Sequence, residues 1–140
     1  MRHHRVLRIA AKLLIPFIML FGLYVQFHGD FGPGGGFQAG VIFAAAIILY
    51  ALIFGLENAR KVAPTRIVTI LISAGVLLFA GVGVVPMFLG ANYLDYTPLG
   101  ATQQSGQHIG ILLVEFGVGI TVAATMIAIF FQFAGLGRDE

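Results

Sequence analysis

A chain of 140 residues that is 59% hydrophobic and 10% charged, with a mean hydropathy of +0.96, has too little polar surface to cover a water-soluble globule. A formal charge of +2 gives no footprint for nucleic acid, and the absence of cysteine removes disulfides, thiolate nucleophiles and cysteine metal sites. What remains is an all-α integral membrane protein, read as one membrane domain.

Four apolar stretches reach the length of roughly 20 residues that a spanning helix needs: about residues 6–27, 37–56, 67–90 and 108–133. The first contains Lys12 and Pro16, which shorten its apolar core. Its leader Arg2-His3-His4-Arg5 could also open a signal peptide, yet the bulky Val25-Gln26-Phe27 provides no small-x-small cleavage site. The third is the cleanest, since no charged residue occurs between Arg66 and Asp95.

Orientation follows from lysine and arginine alone. Arg2, Arg5, Arg8 and Lys12 precede or open the first span, Arg60, Lys61 and Arg66 lie between the second and third, and Arg138 follows the fourth. With four spans all of these fall on one side, so both termini and the loop 57–66 are expected in the cytoplasm. The connection 91–107, with interfacial Tyr93 and Tyr96, would then run along the outer surface with room for a short surface helix.

Between the first two spans lies His28-Gly29-Asp30-Phe31-Gly32-Pro33-Gly34-Gly35-Gly36-Phe37-Gln38-Ala39-Gly40. Four of the five residues 32–36 are glycine, more than a plain turn requires, so the backbone can approach a partner or a water-filled cavity closely. The G-x-G-x-x-A spacing from Gly34 to Ala39 is not a dinucleotide fingerprint, because neither strand nor parallel-sheet pattern surrounds it. His28 and Asp30, with Gln26 and Gln38 at the adjoining helix ends, could relay protons; simple hydration at the membrane surface is the alternative.

Glu115 is the one carboxylate inside an expected span, and ionisable groups at that depth usually face the bundle interior, a partner or water. His108 lies two turns earlier on the same face, about 10 Å nearer the surface, and Gly119 and Ala123 continue that face inward. Glu115 therefore has two readings: a proton- or cation-linked group, or a neutral packing group at a small-residue interface. The histidines form no ligand set, and Ser73 and Ser105 have no base and orienting carboxylate beside them, so neither a metal nor self-contained enzymatic turnover is expected.

The Pro-Gly-Gly-Gly-Phe core at Pro33–Phe37, followed by Ala39-Gly40 and the Ala-rich Val41-Ile42-Phe43-Ala44-Ala45-Ala46, resembles the B subunit of Mrp-type multisubunit sodium/proton antiporters. Length and four-span layout agree over essentially the whole chain. The stretch Gln107 to Gly119, with Glu115 inside it, is similar to that family's last helix.

The resemblance implies a multi-pass subunit of a prokaryotic cell membrane, without cofactor, working beside other membrane subunits to exchange cytoplasmic Na⁺ for external H⁺. It implies that Pro33, Gly34, Gly35, Gly36 and Phe37 form the motif, with Phe37 packing into a neighbour and Pro33 fixing the turn. Glu115 and His108 become the intramembrane polar pair. Asp30 departs from the neutral residues often found at its place. With Gly119 added to the interface set, the ion-path candidates are Glu115, His108, His28 and Asp30. A structural adaptor, or the equivalent subunit of an energy-converting hydrogenase-type complex, is the alternative expectation.

Overall fold

The computed structural model describes residues 5–28, 35–90, 93 and 103–136, all but a few of them helical. The elements are α1 (Arg5–His28), α2 (Gly36–Phe54), α3 (Leu56–Val62), α4 (Thr65–Phe88) and α5 (Gln103–Leu136). Among the described residues, four helices are long and apolar enough to cross a membrane: Arg5–Phe27, Gly36–Phe54, Thr65–Phe88 and His108–Gly135. The connection expected over 91–107 lies outside the described residues, apart from Tyr93 and the opening turn of α5.

The helices stand in the order α1, α2, α5, α4, with α2 packed on α1 and α5, and α4 on α5. Accordingly α2 is the most enclosed, 44% of its spanning stretch being buried against 17% for α1 and 22% for α4 and α5. The direction of each helix can be read from its facing residues. Gly36 faces Glu115 and Gly40 faces Gly119, so α2 and α5 run parallel. Gly75 faces Gly117, whereas Ile72 faces Thr121 further along α5, so α4 runs antiparallel to it.

Close approach at these seams depends on residues without bulk, since association inside a bilayer is driven largely by packing. Ala44, Ile47 and Ala51 of α2 join Ala124, Ile127 and Phe131 of α5 in the main core, which Leu56 and Ala59 of α3 and Val68 of α4 complete. A second cluster joins Ala11 of α1 to Ile53 and Phe54 of α2. Outside these seams the surface is apolar, as exposed Leu13, Phe17 and Leu20 on α1 and Leu77 and Phe88 on α4 illustrate.

Helix α3 falls where the hydropathy pattern left a loop. Its sequence Leu-Glu-Asn-Ala-Arg-Lys-Val is rich in helix formers, with Glu57 in the first turn and Arg60 and Lys61 in the last, each suiting the helix dipole. Gly55 separates it from α2 with φ 98° and ψ 154°, a conformation essentially reserved for glycine. Asn58 Nδ2 donates to the Phe54 carbonyl at 2.7 Å across this turn.

Basic side chains gather at this end of the bundle. Arg8 and Lys12 of α1 stand over the Phe54 ring, 5.5 and 5.7 Å from its centroid. Arg60 donates from Nη2 to the Phe131 carbonyl at 3.4 Å, beside Gly135. Lys12 is thus accommodated within an uninterrupted α1 by reaching an aromatic face at the helix end.

Candidate functional site

At the opposite end of the bundle, α1, α2 and α5 converge on a small polar cluster. Helix α2 begins at Gly36 with Gly35 as its cap, and no side chain of its own bonds the free amides there. The glycines let α5 come against this end. A Cβ on Gly36 would overlap the Glu115 carbonyl oxygen and stand 2.9 Å from its carbon, while a Cβ on Gly35 would lie 3.6 Å from Glu115 Oε1. The Glu115 carboxylate therefore sits beside the positive end of the α2 dipole, which favours negative charge. Its Oε2 is buried, although the residue as a whole is partly exposed.

One turn further along α5, Gly119 leaves room for a third element. A Cβ there would be 2.8 Å from Gln26 Oε1 on α1 and 3.3 Å from the Gly36 carbonyl oxygen on α2. Gln26 is 4% exposed, and its Nε2 is buried with no hydrogen-bond partner among the described residues. The Glu115 carboxylate by Gly35, and the Gln26 amide and Gly36 carbonyl by Gly119, thus bring oxygens from three helices to this end of the bundle. Such oxygen donors suit a proton or a hard cation.

Of the residues singled out in the sequence, Gly35, Gly36, Glu115 and Gly119 come together here. His108 lies two turns outward on α5 and is exposed. Phe37 points away from the bundle and is 60% exposed. The backbone of His28 closes α1. Asp30, Pro33 and Gly34 lie outside the described residues. Among the described residues no group of three or more His, Cys, Asp or Glu is placed to hold a metal ion.

Gln26 belongs to the cluster, although in the sequence it stands out only as a polar residue at a helix end. A stronger signal was the placement of an amide within the last turn of an apolar span, where a buried polar group requires a partner.

Residues 6–128 match a family described as a domain related to the MnhB subunit of Na⁺/H⁺ antiporter. Proteins named antiporter subunit mnhB2 in Staphylococcus aureus strains Newman, JH1 and Mu3 are each 34% identical over 137 residues, covering 96% of this chain and 96% of the relative. Antiporter subunits are transporter components, not enzymes, and act with other subunits as partners. With the family's match running from the first spanning helix into the last, this multi-pass membrane chain belongs to the MnhB family of Na⁺/H⁺ antiporter subunits.

Proposed function

We propose that the chain serves a multisubunit antiporter of the cell membrane that exchanges cytoplasmic Na⁺ for external H⁺, with the cluster around Glu115 on or beside the ion path. The observation that carries this reading is the placement of Glu115: a carboxylate within a spanning helix, one oxygen buried, beside the amide end of α2. A charge at that depth is costly unless the protein uses or stabilises it. The gathering of Arg8, Lys12 and Arg60 at the far end supports a cytoplasmic location for that end, leaving the cluster toward the outer surface. His108, further outward on α5, is proposed to extend the path, and exposed Phe37 to contact a neighbouring subunit; the same roles proposed for His28, Asp30, Pro33 and Gly34 rest on the sequence alone.

The second reading is an adaptor, favoured by the backbone contact between Gly36 and Glu115, which would place residue 115 at a packing seam whatever its charge. Sodium-driven proton exchange in everted vesicles containing the whole complex separates the two. Glu115→Gln is expected to abolish most exchange while a native gel shows the complex intact. Full activity in that variant would make the chain a scaffold.

A further inference from the structure

The four long helices do not end at one level. Gly36, the first residue of α2, faces Glu115 of α5, and Gln26, in the last turn of α1, stands beside Gly119 one turn further in. Both α1 and α2 therefore stop close to the depth of Glu115. Helix α5 continues outward to Gln103, about 18 Å beyond Glu115. Helix α4, antiparallel to it with Gly75 at Gly117, reaches about as far, since Phe88 lies about 20 Å beyond Gly75. The α4–α5 pair thus overtops the ends of α1 and α2 by about three turns of helix.

The α5 face that packs on α2 continues outward from Glu115 to Ile111 and His108, one and two turns earlier, and the described residues leave both exposed, Ile111 by 40%. The spanning stretch of α5 begins at His108, about 10 Å outward of Glu115, so α1 and α2 end within the depth of the membrane. Hydrocarbon solvates neither a carboxylate nor the amides of a helix's first turn, and helix ends at such depth are tolerated where they meet protein or water. A carboxylate and a histidine on one uncovered face favour water over lipid there.

Inward of Glu115 the same seam is closed. A Cβ on Gly40 would stand 2.7 Å from the Gly119 carbonyl oxygen, so no water fits between the two backbones. Beyond them Ala44, Ile47 and Ala51 meet Ala124, Ile127 and Phe131, all buried and apolar. The groove between α1 and α4 has Gln26 as the only polar side chain of its lining, and a charge entering it would lose its hydration without replacement.

We propose that the α5 face from His108 to Glu115 is one wall of a water-filled vestibule, open at the end away from Arg8, Lys12 and Arg60 and blind at Glu115. A proton or hydrated cation that reaches Glu115 from this side leaves again by the vestibule or sideways to a neighbouring subunit, and does not pass along this chain to the basic end. The conveyance of ions rests on the reading of Glu115 given above; the vestibule itself does not.

The chain contains no cysteine, so a single introduced one is its only thiol. The assembled complex in right-side-out and in everted vesicles is treated with a membrane-impermeant, positively charged methanethiosulfonate, and modification of this chain is read by mass spectrometry. Ile111→Cys is expected to react from the side opposite to the one that modifies Lys61→Cys at the basic end. It should also react several-fold faster than Gly81→Cys, which is exposed on α4 at the depth of Ile111. His108→Cys reads the same wall if Ile111→Cys fails to assemble. Val122→Cys, beside Gly40, should react from neither side. Equal rates at Ile111 and Gly81, or no reaction at Ile111, would show lipid or a partner subunit against this face and overturn the vestibule. Reaction of Val122→Cys from the side of Lys61 would overturn its closure. The charged adduct at Ile111 should lower sodium-driven proton exchange several-fold. Rapid modification with exchange unchanged would uphold the vestibule and overturn instead the reading of Glu115 as part of the ion path.

Discussion

Gly40 of α2 meets Gly119 of α5 backbone to backbone: a Cβ on Gly40 would stand 2.7 Å from the Gly119 carbonyl oxygen and 2.9 Å from the Val122 Cβ. The neighbouring groups are backbone and the root of a branched side chain, which cannot swing aside. Gly40→Ala should therefore force the parallel helices apart at a cost of about 1–3 kcal/mol. The expected outcome is reduced abundance of the assembled complex on a native gel, with Gly40→Val worse than Gly40→Ala.

Gly81 provides the contrasting case. No atom lies within 4 Å of a Cβ built there, and the residue is exposed within α4. Its substitution by alanine should raise helix stability by up to about 1 kcal/mol. Thermal stability of the purified complex should be unchanged or higher in Gly81→Ala. A marked loss would show that this face of α4 is closely covered by a partner subunit.

The α4–α5 seam allows steric and polar contributions to be ranked. A Cβ on Gly75 would overlap Thr121 Oγ1 and stand 2.7 Å from the Gly117 carbonyl oxygen, while Thr121 donates from Oγ1 to the Ile72 carbonyl at 3.4 Å. Hydrogen bonds between membrane helices average about 0.6 kcal/mol. Thr121→Val should therefore be mild and Gly75→Ala severe, as measured by resistance of the complex to thermal dissociation in detergent.

At Gly55 the constraint is conformational. With φ 98° and ψ 154° between α2 and α3, any L-residue there incurs about 1–3 kcal/mol of backbone strain. Gly55→Ala should lower the melting temperature, and Asn58→Ala, which removes the bond across the turn, should do so less.

The membrane helices were legible because their signal is a long unbroken run of apolar residues: nothing charged interrupts 67–90, and the four runs match the helices that emerge. Glu115 was equally visible as a carboxylate in such a run. The role of Gly119 in close packing could be anticipated from its spacing to Ala123, but its actual facing residues, Gln26 and Gly36, could not. Pairing of α2 with α5 depends on which apolar face chooses which, and hydropathy is nearly uniform around both helices. Helix α3 was missed for the opposite reason: its seven residues are too short and polar to register in a search for spans.

The order α1, α2, α5, α4 also bears on how the chain is made. Ribosomal synthesis delivers α4 before the helix against which it packs, and delivers α2 with its Gly36, Gly40 and Ala44 stripe still facing lipid. The α1–α2 hairpin and α4 thus remain two separate pieces in the bilayer until α5 is released and inserts between them. Insertion of the last helix is the assembly step, and a protein arrested before it offers the stripe on α2 to quality-control proteases that recognise unpaired membrane helices.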